Sequence, residues 1–376
     1  MMRHVHAIVG GGVAGSRLAA RLAEAGHGSV LLVDPVERDP RTLALFADPD
    51  GWSRDFVVHR WSRITVRARR RTVTRQPSLS YAIVKAQALR DHARAVVEAA
   101  GGAVVRGRVR TVLDGSEGAS VVLEDGRTFE ADWVYDSRVH PDDDDTALRQ
   151  TFTGVWVACE EPAFDPDEAV LMDFDRFAHE GRGPSQGVRF VHTLPTSPTR
   201  ALVTAVSIGP GRPKLPVGTW LPGVLPDSAH TVVGHESGST PLMTEPPVRW
   251  AAPRRLRVGN AGGLLKASTG YAVQRIDDDA AAIVASIGRT GRPEVPRRLH
   301  AVPWRWLDRV FLDLVAQRGQ ASAAVFLAMF ERRPIDAVIA FLDERETCAG
   351  VLGTVLQLPR WDWFALAMGR PLVQLT

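Results

Sequence analysis

The sequence predicts an α/β fold: a mainly parallel sheet flanked by helices, a separate antiparallel sheet and a helical C-terminal region. Three observations predict it. An apolar run near the N-terminus enters a glycine cluster and then a helical repeat. Between residues 151 and 250, short strand-like runs alternate with proline-rich loops. From Trp304 onward, bulky apolar residues recur at helical spacing. The 376 residues, 45% of them hydrophobic, suffice for two or three packed layers.

The first unit runs from His4 to Asp34. The strand-like run Val5 to Val9 leads into Gly10-Gly11-Gly12-Val13-Ala14-Gly15. Leu18, Ala19, Leu22 and Ala23 then share one helix face, and Gly26 suits the C-cap. A second apolar run, Val30 to Val33, ends at Asp34. This is a dinucleotide-binding fingerprint in its full context. Gly10 permits the tight turn, Gly12 lets a pyrophosphate approach the backbone, and Gly15 lets helix and strand pack closely. Free N–H groups at the helix start, at Val13 and Ala14, bind phosphate. Asp34 lies where a carboxylate accepts both hydroxyls of an adenosine ribose. No charge is expected there to accept a 2′-phosphate, which disfavours NADP at this site.

Residues 35–50 read as a polar connection. Phe56 to His59, Ile64 to Val66 and Thr72 to Thr74 read as strands, with Trp52 and Trp61 as core. The basic run Arg67 to Arg71 alternates like a solvated strand face. It lacks the aromatic interleaving of a nucleic-acid surface, so no nucleic-acid partner is expected. Tyr81 to Gly101 predicts one long helix, and Ala103 to Val105 a returning parallel strand. Residues 108–135 predict a β-meander turning at Asp114-Gly115 and Asp125-Gly126. Its last strand ends at Asp136-Ser137-Arg138; likeness to two-domain flavoproteins implies that it re-enters the first sheet beside the cofactor, with Arg138 steering that cofactor or a neighbouring loop. The acid run Asp142 to Asp145 reads as a solvated loop or helix start.

Phe152 to Ala158, Val188 to His192 and Ala201 to Ile208 predict the antiparallel layer. A second strand then runs into glycines at Gly259-Asn260-Ala261-Gly262-Gly263, and Thr269-Gly270-Tyr271 opens a helix from Ala272 to Ile287. Two backbone-lined turns far apart in the chain fit a cofactor with an adenosine end and a flavin end, that is, FAD. The second contributes Gly259, Asn260, Gly262, Thr269, Gly270 and Tyr271; Asp136 and Arg138 complete the expected cofactor set. The expected division is discontinuous. Residues 1–40, 82–150 and 251–295 form the FAD-binding domain, 41–81 and 151–250 a substrate-binding β-sheet domain, and 296–376 the helical region.

No apolar run approaches the ~18 residues of a membrane span. The net charge of +3 is modest. Two cysteines make neither a metal cluster nor a disulfide framework, so no metal is expected. The chain enters a strand at once without a visible leader, and a reducing cytoplasm is the expected compartment. The aromatic helix Trp361 to Met368 suits an interface and is compatible with a peripheral membrane contact.

With these segments in hand, the chain resembles the flavoprotein-type lycopene cyclases. The motifs are Gly10 to Gly15 with Asp34, Asp136-Ser137-Arg138, Phe152-Thr153-Gly154, Leu171-Met172-Asp173-Phe174, Phe190 through Leu194-Pro195, Glu236-Ser237-Gly238, and Gly259 through Thr269-Gly270-Tyr271. Asp308 to Leu312 and Phe326 to Phe330 also fit. The resemblance implies a fold similar to the aromatic-hydroxylase-type (GR2) flavoproteins, FAD active in its reduced form, a long apolar substrate channel and cyclisation of a polyene or isoprenoid end. It also exposes a departure. Where the family has its acid–base glutamate, after the Leu-Pro motif, this chain has Thr204, whose hydroxyl is a poor acid. Either another group takes over, the substrate differs, or reduced flavin itself transfers the proton; the candidate groups are Asp173, Glu236 and His192. Each has a plainer reading: Asp173 bonding backbone at a strand end, Glu236 fixing its own turn, His192 as a packed residue. The alternative activity on this scaffold is that of an FAD-dependent monooxygenase or isoprenoid-chain reductase. Gly259-Asn260-Ala261, where hydroxylases usually have Gly-Asp, argues against hydroxylation. Trp304-Arg305-Trp306 without a following Ile-Pro, and no suitably placed lysine among Lys85, Lys214 and Lys266, argue against a halogenase.

Overall fold

The structure is a computed structural model that describes residues 3–139, 148–178, 187–225, 229–245, 247–295, 302–346, 350–351 and 353. The acid run Asp142 to Asp145 and the helix expected over Trp361 to Met368 lie outside the described residues.

Strand β1 (Arg3–Val9), helix α1 (Val13–Glu24) and strand β2 (Val30–Asp34) form the first unit as the apolar pattern predicts. β1 and β2 pair in parallel, with Val9 beside Val33. Every residue of β2 is buried, as expected of a strand covered on both faces. The next segments depart from the sequence reading. Residues 35–50 are more than a connection, because β3 (Thr42–Ala47) lies within them. β4 (Val57–Trp61), β5 (Arg63–Ala68) and β6 (Arg71–Arg75) follow the strand-like runs. The expected helix from Tyr81 begins instead as a strand, β7 (Ser80–Lys85), and turns helical only in α2 (Ala86–Ala99). β7 is the middle of a three-stranded sheet, between β3 and β4. Tyr81, Ala82, Ile83 and Val84 are all buried. Tyr81 and Ile83 face one core and Ala82 and Val84 another, a two-sided burial that one face of a helix cannot provide.

β8 (Ala103–Arg106) returns parallel to β2. The meander is β9 (Val109–Asp114), β10 (Ala119–Leu123) and β11 (Thr128–Asp136), and β11 re-enters beside β1 in parallel. The second sheet has seven strands. It comprises β5, β6, β12 (Arg149–Cys159), β13 (Glu168–Asp173), β14 (Val188–Ser197), β15 (Arg200–Gly209) and, beyond the short helix α3 (Val217–Trp220), β16 (His230–Pro241). Their order is β16-β12-β15-β14-β13-β5-β6; the β13–β5 pair is parallel and the others antiparallel. β17 (Trp250–Ala252) and β18 (Arg255–Arg257) extend the first sheet next to β11. Helices α4 (Val273–Thr290), α5 (Val302–Arg318), α6 (Ala323–Arg332) and α7 (Ile335–Leu342) complete the described chain.

Alternation on β15 assigns the two faces of the large sheet. Leu202, Val206 and Ile208 join a core with Phe326, Phe330 and other residues of α5 to α7. Ala201, Val203 and Ala205 pack instead with Trp220 and Leu221. No helix of the described residues is long and apolar enough to cross a membrane.

A buried charge clamp ties α1 to α4. Asp277 accepts from Arg17 at 2.6 Å and from Arg21 at 2.8 Å, and Asp277 and Arg17 are almost fully buried. Removing the carboxylate leaves a buried guanidinium uncompensated. Asp277→Asn should therefore lower the unfolding free energy by about 3 kcal/mol. A urea denaturation midpoint equal to that of the unaltered protein would remove the clamp from the account of stability.

Candidate active site

The glycine turn after β1 closes on itself. Gly10 has φ +93°, and a Cβ on Gly15 would overlap the Gly10 carbonyl, so strand and helix meet at backbone distance. Gly12 is the N-cap of α1 and carries no side-chain cap, and a Cβ built there meets nothing within 4 Å. No side chain takes the first N–H groups of α1, and Gly12, Val13 and Ala14 line a cavity.

The second turn reaches the same cavity. The Val258 N–H donates to the Asp136 carbonyl at 3.0 Å, which holds the turn to β11. Gly259 has φ +62°, and a Cβ there would lie 2.5 Å from Ala14 Cβ. The second turn is thus pressed onto the start of α1. Gly259 and Gly262 shape this turn from behind, while Asn260, Thr269, Gly270 and Tyr271 line the cavity. An uncapped helix start and a second backbone turn in one cavity form a cradle that a dinucleotide fits.

Three expected cofactor residues sit differently. The Asp34 carboxylate is taken by Arg90 and also lies 3.8 Å from Arg94, both on α2. Asp34 is not a free acceptor for two ribose hydroxyls, and cations do stand beside it. They were not legible because they are distant in sequence. Arg138 clamps Asp136, at 2.9 and 2.8 Å, and donates to the Val109 carbonyl at 2.8 Å. It therefore holds its own loop, and of this motif it is Ser137 that lines the cavity.

From the two turns the cavity, of about 520 Å³, opens into an apolar chamber. Phe190, Leu202 and Val206 form its sheet wall, and Phe326, Met329 and Phe330 of α6 face them. One row of residues crosses that wall. His192 on β14 pairs with Thr204 on β15, Thr204 with Gly154 on β12, and Gly154 with Glu236 on β16. His192, Thr204 and Glu236 all line the cavity. Gly154 leaves room: a Cβ there would lie 2.6 Å from Thr204 Oγ1.

Glu236 is buried and accepts from the Thr42 N–H at 2.7 Å, Thr42 Oγ1 at 2.6 Å and Trp156 Nε1 at 2.8 Å. Lys85 Nζ lies 4.0 Å away, and burial pulls its pKa down although Glu236 opposes this. Asp173 does not line the cavity. It accepts from Arg176 at 3.1 Å, from Arg67 at 3.5 Å and from the Asp175 N–H, so it stands at a strand end as its plainer reading holds. His192 Nε2 lies 3.5 Å from Tyr81 Oη, and burial pulls its pKa down to about 4. Lys266 was set aside in the sequence, yet it lines the cavity, clasped by Asp308 at 2.8 Å and Glu344 at 3.0 Å. Among the described residues, no group of three or more His, Cys, Asp or Glu could hold a metal ion.

The family profile described as lycopene cyclase protein matches residues 6–367. The chain belongs to the lycopene cyclase family. No curated protein matches it significantly. Among solved structures it is similar to a geranylgeranyl bacteriochlorophyll reductase-like protein from Thermoplasma acidophilum, with TM-score 0.67, 12% identity and coverage of 97% of this chain and 99% of that one. It is also similar to the halogenase PltM solved with phloroglucinol and FAD (0.62, 12%, 99% and 93%). A flavoprotein/dehydrogenase from Cytophaga hutchinsonii gives 0.62, 11%, 98% and 100%. The chain therefore has the α/β flavoprotein fold of FAD-dependent oxidoreductases and halogenases, with mixed sheets and C-terminal helices. Thr42, Lys85, Tyr81 and Trp156, which surround Glu236 and His192, were missed in the sequence. The alternation Tyr81, Ile83, Lys85 could have found two of them had residues 80–85 been read as a strand.

The neutral state of His192 has a consequence for stability. Its pKa is lowered in the fold, from 6.5 to about 4, so below pH 6.5 the unfolded chain binds more protons. Stability falls as pH drops from 6.5 towards 4 and is unaffected by this group above 6.5. His6, also lowered to about 4 by burial, acts in the same direction. His192→Gln should reduce the loss of unfolding free energy between pH 7 and pH 5 by about 2 kcal/mol. Identical pH dependence in the variant and the unaltered protein would mean that His192 titrates normally.

Proposed function

We propose that this protein is an FAD-dependent cyclase that isomerises an apolar isoprenoid or polyene substrate without net redox change, in a specialised biosynthetic pathway. The observation that carries the reading is the single cavity joining two glycine turns to an apolar chamber. The turns would hold FAD through the backbone of Gly12 to Ala14 and of Asn260 and Thr269 to Tyr271. When bound and reduced, FAD supplies an electron-rich π-face to the cavity. The chain's own residues do the rest. Phe190, Leu202, Val206 and the aromatic face of α6 exclude water, so that a carbocation survives long enough to react. A proton added to a terminal alkene carbon makes a tertiary cation. A neighbouring double bond attacks it, one C–C bond closes the ring, and a proton leaves the adjacent carbon. One proton enters and one leaves, so the mass is unchanged.

Glu236 and His192 are the cavity-lining groups proposed to manage these protons, in place of an acid at Thr204. Asp173 is dropped from that set because it stands outside the cavity, held by two arginines. A reductase reading keeps some support from the similarity to a protein named geranylgeranyl bacteriochlorophyll reductase-like, since a chamber that holds a polyene also holds an isoprenoid chain.

The test is the mass of the product. The protein, loaded with FAD and photoreduced under argon, is incubated with lycopene and with an extract of its producing strain. A product of unchanged mass is expected. A gain of two hydrogens would make it a reductase, and a gain of oxygen seen only in air a monooxygenase. Glu236→Gln should lower cyclisation about 100-fold, within the range for a lost acid–base group, while leaving the flavin content intact. Full activity in that variant would leave Glu236 as the partner of Thr42 and Trp156 only.

A further inference from the structure

The small sheet meets the large sheet at Glu236, edge to edge. β3 is an outer strand of the small sheet and β16 an outer strand of the large one. Thr42 and Lys85 stand opposite each other on β3 and β7. The Lys85 ammonium donates to Thr42 Oγ1 at 2.9 Å, and Thr42 Oγ1 donates to Glu236 Oε1 at 2.6 Å. An ammonium only donates and a carboxylate only accepts, so the hydroxyl between them is oriented towards Glu236. The Thr42 N–H holds Glu236 Oε2 at 2.7 Å, and Trp156 Nε1 holds Oε1 at 2.8 Å. The same Trp156 ring seats the Lys85 ammonium, 4.0 Å from its centroid. Thr42 and Glu236 line the cavity. The Glu236 side chain is 4% exposed and that of Lys85 36%. Two hydrogen bonds in series, donating in one direction, therefore run from a side chain in contact with water to a carboxylate on the chamber wall.

We propose that Lys85 and Thr42 form the route by which Glu236 regains a proton from solvent after each cyclisation. The inference rests on the cyclase reading above and assigns the entering proton to Glu236. Once Glu236 has given its proton to the alkene carbon, it is a carboxylate. Lys85 Nζ–H then passes a proton to Thr42 Oγ1 as the Thr42 O–H passes its own to Glu236 Oε1. Glu236 becomes a neutral acid again, Thr42 is unchanged, and Lys85 is left as a neutral amine that takes a proton from water. One proton enters by this route for each one that the cyclised cation loses, and no oxidant or reductant is consumed. Thr42 and Lys85 act on the substrate only through Glu236. The hydroxyl is needed as the bridge, because Lys85 Nζ lies 4.0 Å from Glu236 Oε1, beyond hydrogen-bond distance. Burial pulls the Lys85 pKa down and Arg200 adds to this, while Glu236 opposes it; the net lowering makes the ammonium a readier donor. A substrate that fills the chamber keeps water from Glu236, and a route through the wall does not compete with it for space.

The experiment uses the FAD-loaded, photoreduced protein under argon with lycopene and the strain extract, and follows turnover in the unaltered protein and its variants. Thr42→Val keeps the side-chain shape and the backbone N–H bond to Glu236 and removes only the hydroxyl. It should lower turnover about 100-fold with flavin content and thermal midpoint unchanged, and Thr42→Ser should recover most of that loss. Lys85→Ala should lose a similar factor. Added methylammonium, which carries a transferable proton, should restore its turnover in proportion to concentration. Tetramethylammonium, which carries the charge without the proton, should not. Turnover by Thr42→Val at the full rate would overturn the route and leave the cyclase reading standing. Equal rescue of Lys85→Ala by the two cations would also overturn it, since Lys85 would then act by charge alone. Absence of any isomeric product from the unaltered protein would overturn the functional reading and the route with it.

Discussion

The close approach of two glycine turns is the constraint on which the rest of this molecule depends. Gly15 admits the Gly10 carbonyl, and Gly259 admits Ala14. Side chains at either place would push strand from helix, or the second turn from the first. Because both contacts are backbone-close, the uncapped start of α1 and the loop before α4 open into one cavity. The Asp277 clamp acts on the same two helices and keeps them side by side. Helix start and second turn together bring backbone N–H groups to the mouth of the cavity, and the clamp holds their helices side by side.

The chamber beyond that mouth is governed by alternation on the large sheet. One face of β15 sends Leu202, Thr204, Val206 and Ile208 towards the cavity and the helices, while the other packs Ala201, Val203 and Ala205 on α3 and its neighbours. The polar residues of the wall fall in one cross-strand row, His192, Thr204, Gly154 and Glu236. A row of this kind confines polarity to one stripe of an otherwise apolar surface, as suits a substrate that is mostly hydrocarbon.

Ionisable groups near the cavity are largely compensated in place. Glu236 receives three hydrogen bonds, Asp173 is held by Arg67 and Arg176, and Lys266 is clasped by Asp308 and Glu344. Buried charges persist only when partnered in this way. Glu344 has φ +59°, a left-handed conformation unusual for its residue type, and it bridges Lys266 and Arg275. The second glycine turn is thereby tied to the helices that close the chamber.

Much of this was legible in the sequence. The turn at Gly10 to Gly15, the meander with its Asp-Gly turns and the second turn at Gly259 are local patterns whose physics lies within a few residues of one another, whereas the return of β11 beside β1 was expected only by likeness to two-domain flavoproteins. Residues 80–85 were misread because Tyr81-Ala82-Ile83-Val84 is uniformly apolar, and an apolar run shows neither helical nor strand period. Its place between β3 and β4 decided the matter. The roles of the acids were also beyond sequence. Asp34, Asp136, Asp173 and Glu236 look alike in the chain, and only folding brings Arg90 to Asp34, Arg67 to Asp173, and Thr42 with Trp156 to Glu236. The sequence by itself determined which segments could be strand, helix or phosphate turn, because backbone preference and apolar period are short-range. Only the tertiary structure decided which polar groups face the cavity, because hydrogen bonding and ion pairing between residues distant in the chain exist only once the sheets are assembled.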